Sequence, residues 1–413
     1  MRKISWVLCI SMVMMICIGC SSKDAKTAME VNPQFTVWDE VKKQGQGQDV
    51  TILMWGGNEN INRYMDGFVA QNVKKMYGIT LKRVPMNAPE FVAKIANEKK
   101  SGLSIGSADL LWINGENFRK TKQAGLLWGP YTQLLPNVKQ SYDLAAPDMT
   151  HDTGIEIEGM EGIFGRAQLV FTYDQASLPV PPRSFKELLL WAKHNPGKMT
   201  YPKLPDDFAG VAFIRTAYYE LTGQKDIFQK EMTKEEFVAL SRPVVAYFKE
   251  LNPYLWHEGK AYPANQAQLD ELFKNKEIEM TMGFEIGKTP GLVAKGVYPR
   301  TAKTFIFQTG TIGNSHYLAV PFNAPHKAAA LLVMDFLQSP VAQLEKFKPE
   351  VWGDMPAVDV QKLSNEDRAQ LEKIEETSGI LSLKDLSQHR LPEMRAEQIE
   401  WVKEIWVQEI GGR

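Results

Sequence analysis

The chain has 413 residues, with 48 Lys and Arg against 49 Asp and Glu, a formal net charge of −1, and 44% hydrophobic residues. That balance lacks the basic excess of a nucleic-acid binder, and the length allows two or three domains with cores of their own. Its three cysteines, Cys9, Cys17 and Cys20, all lie in the first twenty residues, which excludes a disulfide framework, a cysteine zinc site and a cysteine nucleophile from the body.

The chain opens with Met1-Arg2-Lys3, an apolar run over 4–18 and a small Gly19, followed by polar Ser21-Ser22-Lys23. A basic start, a short apolar segment and a small residue before a cut read as an export signal. The run is short of the ~20 residues that a membrane span needs. Cys17-Ile18-Gly19-Cys20 resembles a bacterial lipobox, with Cys17 where that pattern usually has Leu. The resemblance implies a signal over 1–19 and acylation of Cys20, which becomes the mature N-terminus and ties the protein to a membrane. Cleavage there removes Arg2 and Lys3 from the 48 basic residues, leaving 46 against 49 acidic, a formal −3. Residues 20–34 are small and polar, the composition of a flexible tether.

From residue 50 the pattern alternates between strand and helix. Residues 50–55 are a β-rich run ending in Gly56-Gly57, and Asn58 is placed to cap the helix that follows. Ile61, Tyr64, Phe68, Val69, Val73 and Met76 recur at helical steps, and Gly78 stands where a left-handed residue ends a helix. Residues 79–84 form a second strand, Pro89 opens a second helix, and 108–113 is a third, apolar strand. This rhythm predicts an α/β fold with a parallel sheet covered on both faces. Ligands on such sheets sit beyond the carboxyl ends of the strands, where Trp55-Gly56-Gly57-Asn58 and the loop Asn114-Gly115-Glu116-Asn117 emerge.

Residues 167–173 form a long β run, and Leu178-Pro179-Val180-Pro181-Pro182 is stiff enough to mark a domain crossing. A second α/β region follows, with helices over 208–221 and 235–251 and strand-like runs over 199–201, 279–283, 304–308 and 316–320. Beyond Pro321 the chain is mostly helical, with apolar stripes over 328–337 and 394–405.

Further short segments complete the pattern: Leu110-Leu111-Trp112-Ile113, Asn195-Pro196-Gly197, Thr200-Tyr201-Pro202, Pro205-Asp206-Asp207-Phe208, Pro253-Tyr254-Leu255-Trp256, Ile312-Gly313-Asn314 and Val351-Trp352-Gly353-Asp354. With the lipobox and Trp55-Gly56-Gly57, they make the chain resemble an extracellular solute-binding protein of a bacterial ABC importer. The resemblance is to the YnjB-like branch, related to the thiamine-, polyamine- and iron-binding groups. It implies a two-lobed type II periplasmic binding protein (venus-flytrap) fold, each lobe a mostly parallel sheet flanked by helices. Lobe 1 is expected over 35–172 plus 305–345, and lobe 2 over 173–304 plus 346–413. The implied partners are a small-molecule solute and a membrane permease, and the protein is expected to be a monomer without cofactor or metal.

Candidate ligand-binding residues follow from where such a cleft falls. Trp55 suits either a stacking surface or a cap on the sheet's core, and Asn58 suits a helix cap that also faces ligand. Asn114, Glu116 and Asn117 form a polar loop with little structural need for three such groups. From the opposite lobe come Tyr201, Asp207 and Phe208, with Phe284 and Glu285 at another strand end. Carboxylates at a helix start satisfy its free N–H groups and repel anions. With Glu116 and Glu285 near strand ends, a cationic or amine-bearing solute is favoured, and the aromatic rings suit cation–π contact. Phe164 and Gln168 precede the first crossing, while Asn314 and His316 sit at the return crossing. Arg166 suits a ligand carboxylate or a neighbouring acid.

An enzyme has no support in the usual motifs. There is no His-Glu-x-x-His, no Gly-x-Ser-x-Gly and no phosphate loop, and the adjacent pairs His151-Asp152 and His257-Glu258 lack metal-ligand spacing. A cell-envelope hydrolase built from scattered acids and a lipid-anchored scaffold stay open as alternatives.

Overall fold

The computed structural model describes residues 35–411. The leader, Cys20 and the tether lie outside the described residues.

Seven strands form the first sheet. β1 (Asp49–Met54) pairs in parallel with β2 (Thr80–Pro85) and with β3 (Leu110–Ile113). β1 and β3 are almost wholly buried, as parallel strands covered on both faces must be. Two short elements follow: β4 (Leu127–Trp128), and a hairpin of β5 (His151–Asp152) and β6 (Ile155–Glu156). β7 (Glu161–Gln168) then enters the first sheet and β8 (Val170–Asp174) the second. The single β run expected over 167–173 is therefore two strands. The chain passes between sheets at Leu169, which is fully buried and donates its N–H to the carbonyl of Ile312 at 2.9 Å.

β9 (Met280–Gly283) and β10 (Ala302–Phe305) flank β8 in the second sheet. Both pairings are antiparallel, unlike the mostly parallel arrangement expected there, because the neighbours of β8 come from late segments that run back along it. The expected strand over 199–201 is irregular chain. β11 (Thr311–Pro321) returns to the first sheet, antiparallel to both β3 and β7. β12 (Arg390–Leu391) makes a third crossing, parallel to β11 at Thr311 and Ile312. The two sheets belong to one compact unit.

Helix starts follow their caps. Asn58 Oδ1 accepts from the N–H groups of Asn60 and Ile61, and Gly78 ends the second turn-set with φ 71°. Between them lies a π segment, Tyr64–Val69. It widens the turn, so Met65 is buried while Met76, counted in the apolar stripe, is 53% exposed. The extra residue per turn rotates the stripe and moves its end into solvent.

Four clusters form the interior, one of them built on Leu53, Phe91, Ile95, Leu111 and Phe118. The helix Lys327–Leu337, buried along its whole length, packs on the first sheet with Ile52, Leu110 and Leu318. The second sheet's core gathers Phe171, Phe213, Phe248 and Phe307, and takes in Val402 and Trp406 from the chain's last helical segment. Residues Leu344, Phe347, Met355, Leu371 and Leu386 form a third cluster with Tyr317 and Ile306 beside the crossings. Among the described residues, no helix is long and apolar enough to cross a membrane.

Candidate functional site

The carboxyl end of β1 faces the second lobe. Trp55 is 45% exposed, and its indole lies over Gly57, where a Cβ would stand 2.3 Å from the ring. Asn58, having spent its oxygen on the helix start, donates Nδ2 to Glu285 Oε1 at 2.9 Å. Glu285 follows β9, so one side chain caps a helix of the first lobe and grips the second. Beside it Phe208 and Phe284 pack with ring centroids 4.8 Å apart, and Phe208 is half exposed. Asp207 caps the helix Phe208–Leu221 through Gly210 N at 2.9 Å, and its other oxygen accepts from Gln266 N at 2.9 Å. Both of its oxygens hold backbone.

The Asn58 contact gives a direct prediction. Asn58→Ala removes the cap, worth about 1 kcal/mol, and also the bond to Glu285. Calorimetry should show a loss of stability, and scattering a shift toward a more open shape. Unchanged values in both would refute the bridge.

At the end of β3 the structure has a helix where a loop was expected. Gly115–Gln123 begins directly after Asn114. Glu116 is held by its own helix, with Arg119 at 2.7 and 2.6 Å and Lys120 at 3.3 Å. The Arg119 hydrogen bonds keep its carboxyl below the usual range. Asn117 accepts from Thr121 Oγ1 through its carbonyl. Asn114 donates to Asn314 Oδ1 at 3.1 Å, and Asn314 in turn donates to Glu393 Oε1 at 3.0 Å. Glu393 pairs with the buried Arg215, whose guanidinium lies 5.6 Å from the Phe208 ring. This chain of contacts links the first lobe to the second across the crossing strands.

Three expected ligand contacts, Tyr201, Gln168 and Phe164, are instead buried, and a fourth, His316, is held among aromatic rings with its side chain 15% exposed. Tyr201 is fully buried, its hydroxyl accepting from Trp406 Nε1 at 3.2 Å. Gln168 is fully buried and donates to Thr311 Oγ1 and to the carbonyl of His389, both at 3.1 Å. Phe164 packs edge-on against Trp112. His316 lies between Trp112 and Trp352 and shares Asp354 at 3.0 Å. Phe164, Gln168 and His316 are turned by their strands toward packed neighbours, and Tyr201 by the irregular chain that carries it.

A cavity of about 670 Å³ opens between the lobes. One wall comes from the first lobe (Asp148, Asp152, Thr153, Arg166, Asn314, Ser315), another from Gln229, Glu393 and Arg395, and a third from Val358, Leu383 and Arg390. Of the residues expected at the ligand, Asn314 is the one that lines this space. Arg166 does meet a neighbouring acid. It forks onto Asp148 at 2.7 and 3.0 Å, and Ser315 Oγ donates to the same carboxylate at 2.9 Å. Burial works against the Asp148 charge, but Arg166 and Arg390 outweigh it and hold its pKa below the carboxylate range. Among the described residues, no group of three or more His, Cys, Asp or Glu is placed to hold a metal.

The residues missed in the sequence left unequal traces. Thr153-Gly154, next to Asp152, is a two-residue hairpin turn, with φ 46° at Thr153 and 79° at Gly154, and Thr-Gly between short extended runs is a readable turn signal. Arg215 and Glu393 stand 178 positions apart. No local pattern announces that pair.

Comparison with known proteins fits this geometry. A family model described as bacterial extracellular solute-binding protein matches residues 68–370. Protein YnjB of Escherichia coli strain K12 is 38% identical over 337 residues, covering 81% of this chain and 86% of that protein. An ABC transporter structure from Clostridium perfringens ATCC 13124 superposes with a TM-score of 0.63 at 15% identity, over 88% of this chain and 99% of that one. The spermidine/putrescine substrate-binding protein PotD from Streptococcus pneumoniae gives 0.62 at 12% identity, over 87% and 98%. At such identities the structures speak for the shared fold alone, that of type II periplasmic binding proteins. The chain belongs to the bacterial extracellular solute-binding proteins, whose work is binding a solute rather than catalysis.

Proposed function

We propose that this protein captures a cationic or amine-bearing solute in the cavity between its lobes and hands it to a permease, held to the membrane as a monomer by a lipid on Cys20. The observation that carries the reading is the 670 Å³ space walled from both lobes. Its volume is that of a small-molecule site, and closure of two walls on one ligand couples binding to a hinge motion. Asp152, a carboxylate on the cavity wall with no cation paired to it among the described residues, favours positive charge over an oxyanion. The spermidine/putrescine proteins among the structural neighbours are in keeping with an amine, although a fructose-6-phosphate binder shares the fold as well.

Mass spectrometry of native protein purified from membranes tests this reading. It should release an intact nitrogenous cation and show a mature chain beginning at an acylated Cys20. Adding that solute to emptied protein should reduce the radius of gyration. A released anion, or a solute recovered chemically altered, would refute the reading.

A further inference from the structure

Six charged side chains line the interlobe cavity, and five are committed to partners. Asp148 and Arg166 hold each other, and Arg390 reaches Asp148 at 3.7 Å. Glu393 serves Arg215 and Asn314. Arg395 is divided between Glu397 and Glu231.

Asp152 is the exception. It is 3% exposed and takes part in no ion pair among the described residues. One oxygen accepts the N–H of Gly115 at the start of the helix after β3. Burial pushes its carboxyl up to about 7. The groups around it supply no cation: Glu161 and the Tyr317 hydroxyl feel its charge, Asp148 lies on the preceding turn, and Arg395 Nη1 is spent on Gly154 O at 3.4 Å. Next to it, Thr153 lines the same cavity, 8% exposed, with a buried hydroxyl that has no neighbour to bond except the Asp152 carboxylate. Here the hairpin holds that hydroxyl in place through a left-handed backbone that β-branched residues resist. A carboxylate without a cation and the hydroxyl beside it, together on a cavity wall, offer oxygens complementary to a donor that carries positive charge.

We propose that Asp152 and Thr153 together receive an N–H-bearing ammonium group of the transported solute. This rests on the cationic reading above and sharpens it. The pair wants donors as well as charge, so primary and secondary amines are accepted, whereas a quaternary ammonium, which has no N–H, is rejected.

Calorimetric titration of the full chain tests the assignment with 1,4-diaminobutane, its bis(trimethylammonium) analogue and 1,4-butanediol. The diamine should bind at least tenfold more tightly than either comparator. Asp152→Asn keeps an oxygen for Gly115 N and removes the charge, so diamine affinity should fall about 10- to 100-fold, the size of a lost hydrogen bond to a charged group. Thr153→Gly suits the positive φ and removes the hydroxyl, so affinity should fall severalfold with no loss of thermal stability. Equal binding of the quaternary analogue, or a diamine affinity untouched by both substitutions, overturns this assignment and leaves the cationic reading intact. No binding of the diamine to the unmodified chain overturns it as well. A native solute without positive charge overturns both.

Discussion

Asp354→Asn is expected to cost about 3–5 kcal/mol of stability, the range for breaking a buried ion pair from one side. Asp354 Oδ2 pairs with Lys346 Nζ at 2.5 Å, its other oxygen meets His316 at 3.0 Å, and Lys346 has no exposed surface. Burial disfavours both charges. It lowers Lys346, while at Asp354 it is outweighed by Lys346 and His316, which keep the carboxyl below its ordinary value. The amide keeps the shape and removes the anion, which strands the ammonium between the Phe164 and Trp352 rings at 5.9 and 5.4 Å. Scanning calorimetry should show a melting point lower by several degrees. Adding Lys346→Met should restore most of the loss, because the unpaired charge is then gone as well. A single variant within 1 kcal/mol of the parent would remove the triad from the list of stabilising features.

The ligand-free protein should be most stable near pH 5 and lose on the order of 3 kcal/mol by pH 8. Asp152 is raised to about 7 and Asp335 to about 6 by burial, and burial also raises Glu161. A carboxyl that holds its proton more tightly when folded gives stability that is full below its unfolded value, near 4. That stability drains away as the pH climbs through the folded value. His326, raised by its hydrogen bond to Asp109, contributes in the same sense, full below about 6.5 and lost above its folded value. Asp148 and Asp354 are lowered, so their contributions vanish only below pH 4 and stay constant across this window. Melting curves from pH 4 to 9 measure the slope, and Asp152→Asn should flatten it. A rise in stability from pH 5 to 8 would contradict the protonation of these buried acids.

Much of the first lobe was legible because its signals are local. The Asn58 cap, the Gly78 stop and the apolar strands of β1 and β3 are set by residues within one turn or one strand. The second lobe's helix at Phe208–Leu221 was equally readable from its run of apolar residues behind Asp207. The direction of strands in the second sheet was not, because it depends on which distant segment comes to lie beside β8. The site divides the same way. Positions at strand ends were found, but whether a side chain at a crossing faces cavity or core is decided by twist and by partners far along the chain. Hence Tyr201 and Gln168 went inward, while Asp152, a residue without a cation, was passed over beside His151 because the pair lacked metal spacing.

The return strand β11 bonds with β7 on one side and with β3 and β12 on the other. Its side chains therefore set Asn314 toward the cavity and Leu318 and Val320 into the first lobe's interior at the same time. Inserting or deleting a single residue there would invert every position beyond the change and would exchange hydrocarbon for amide in two places at once. Changes in length, as the protein diversifies, should accordingly be confined to the surface connections, while this one ribbon keeps its span.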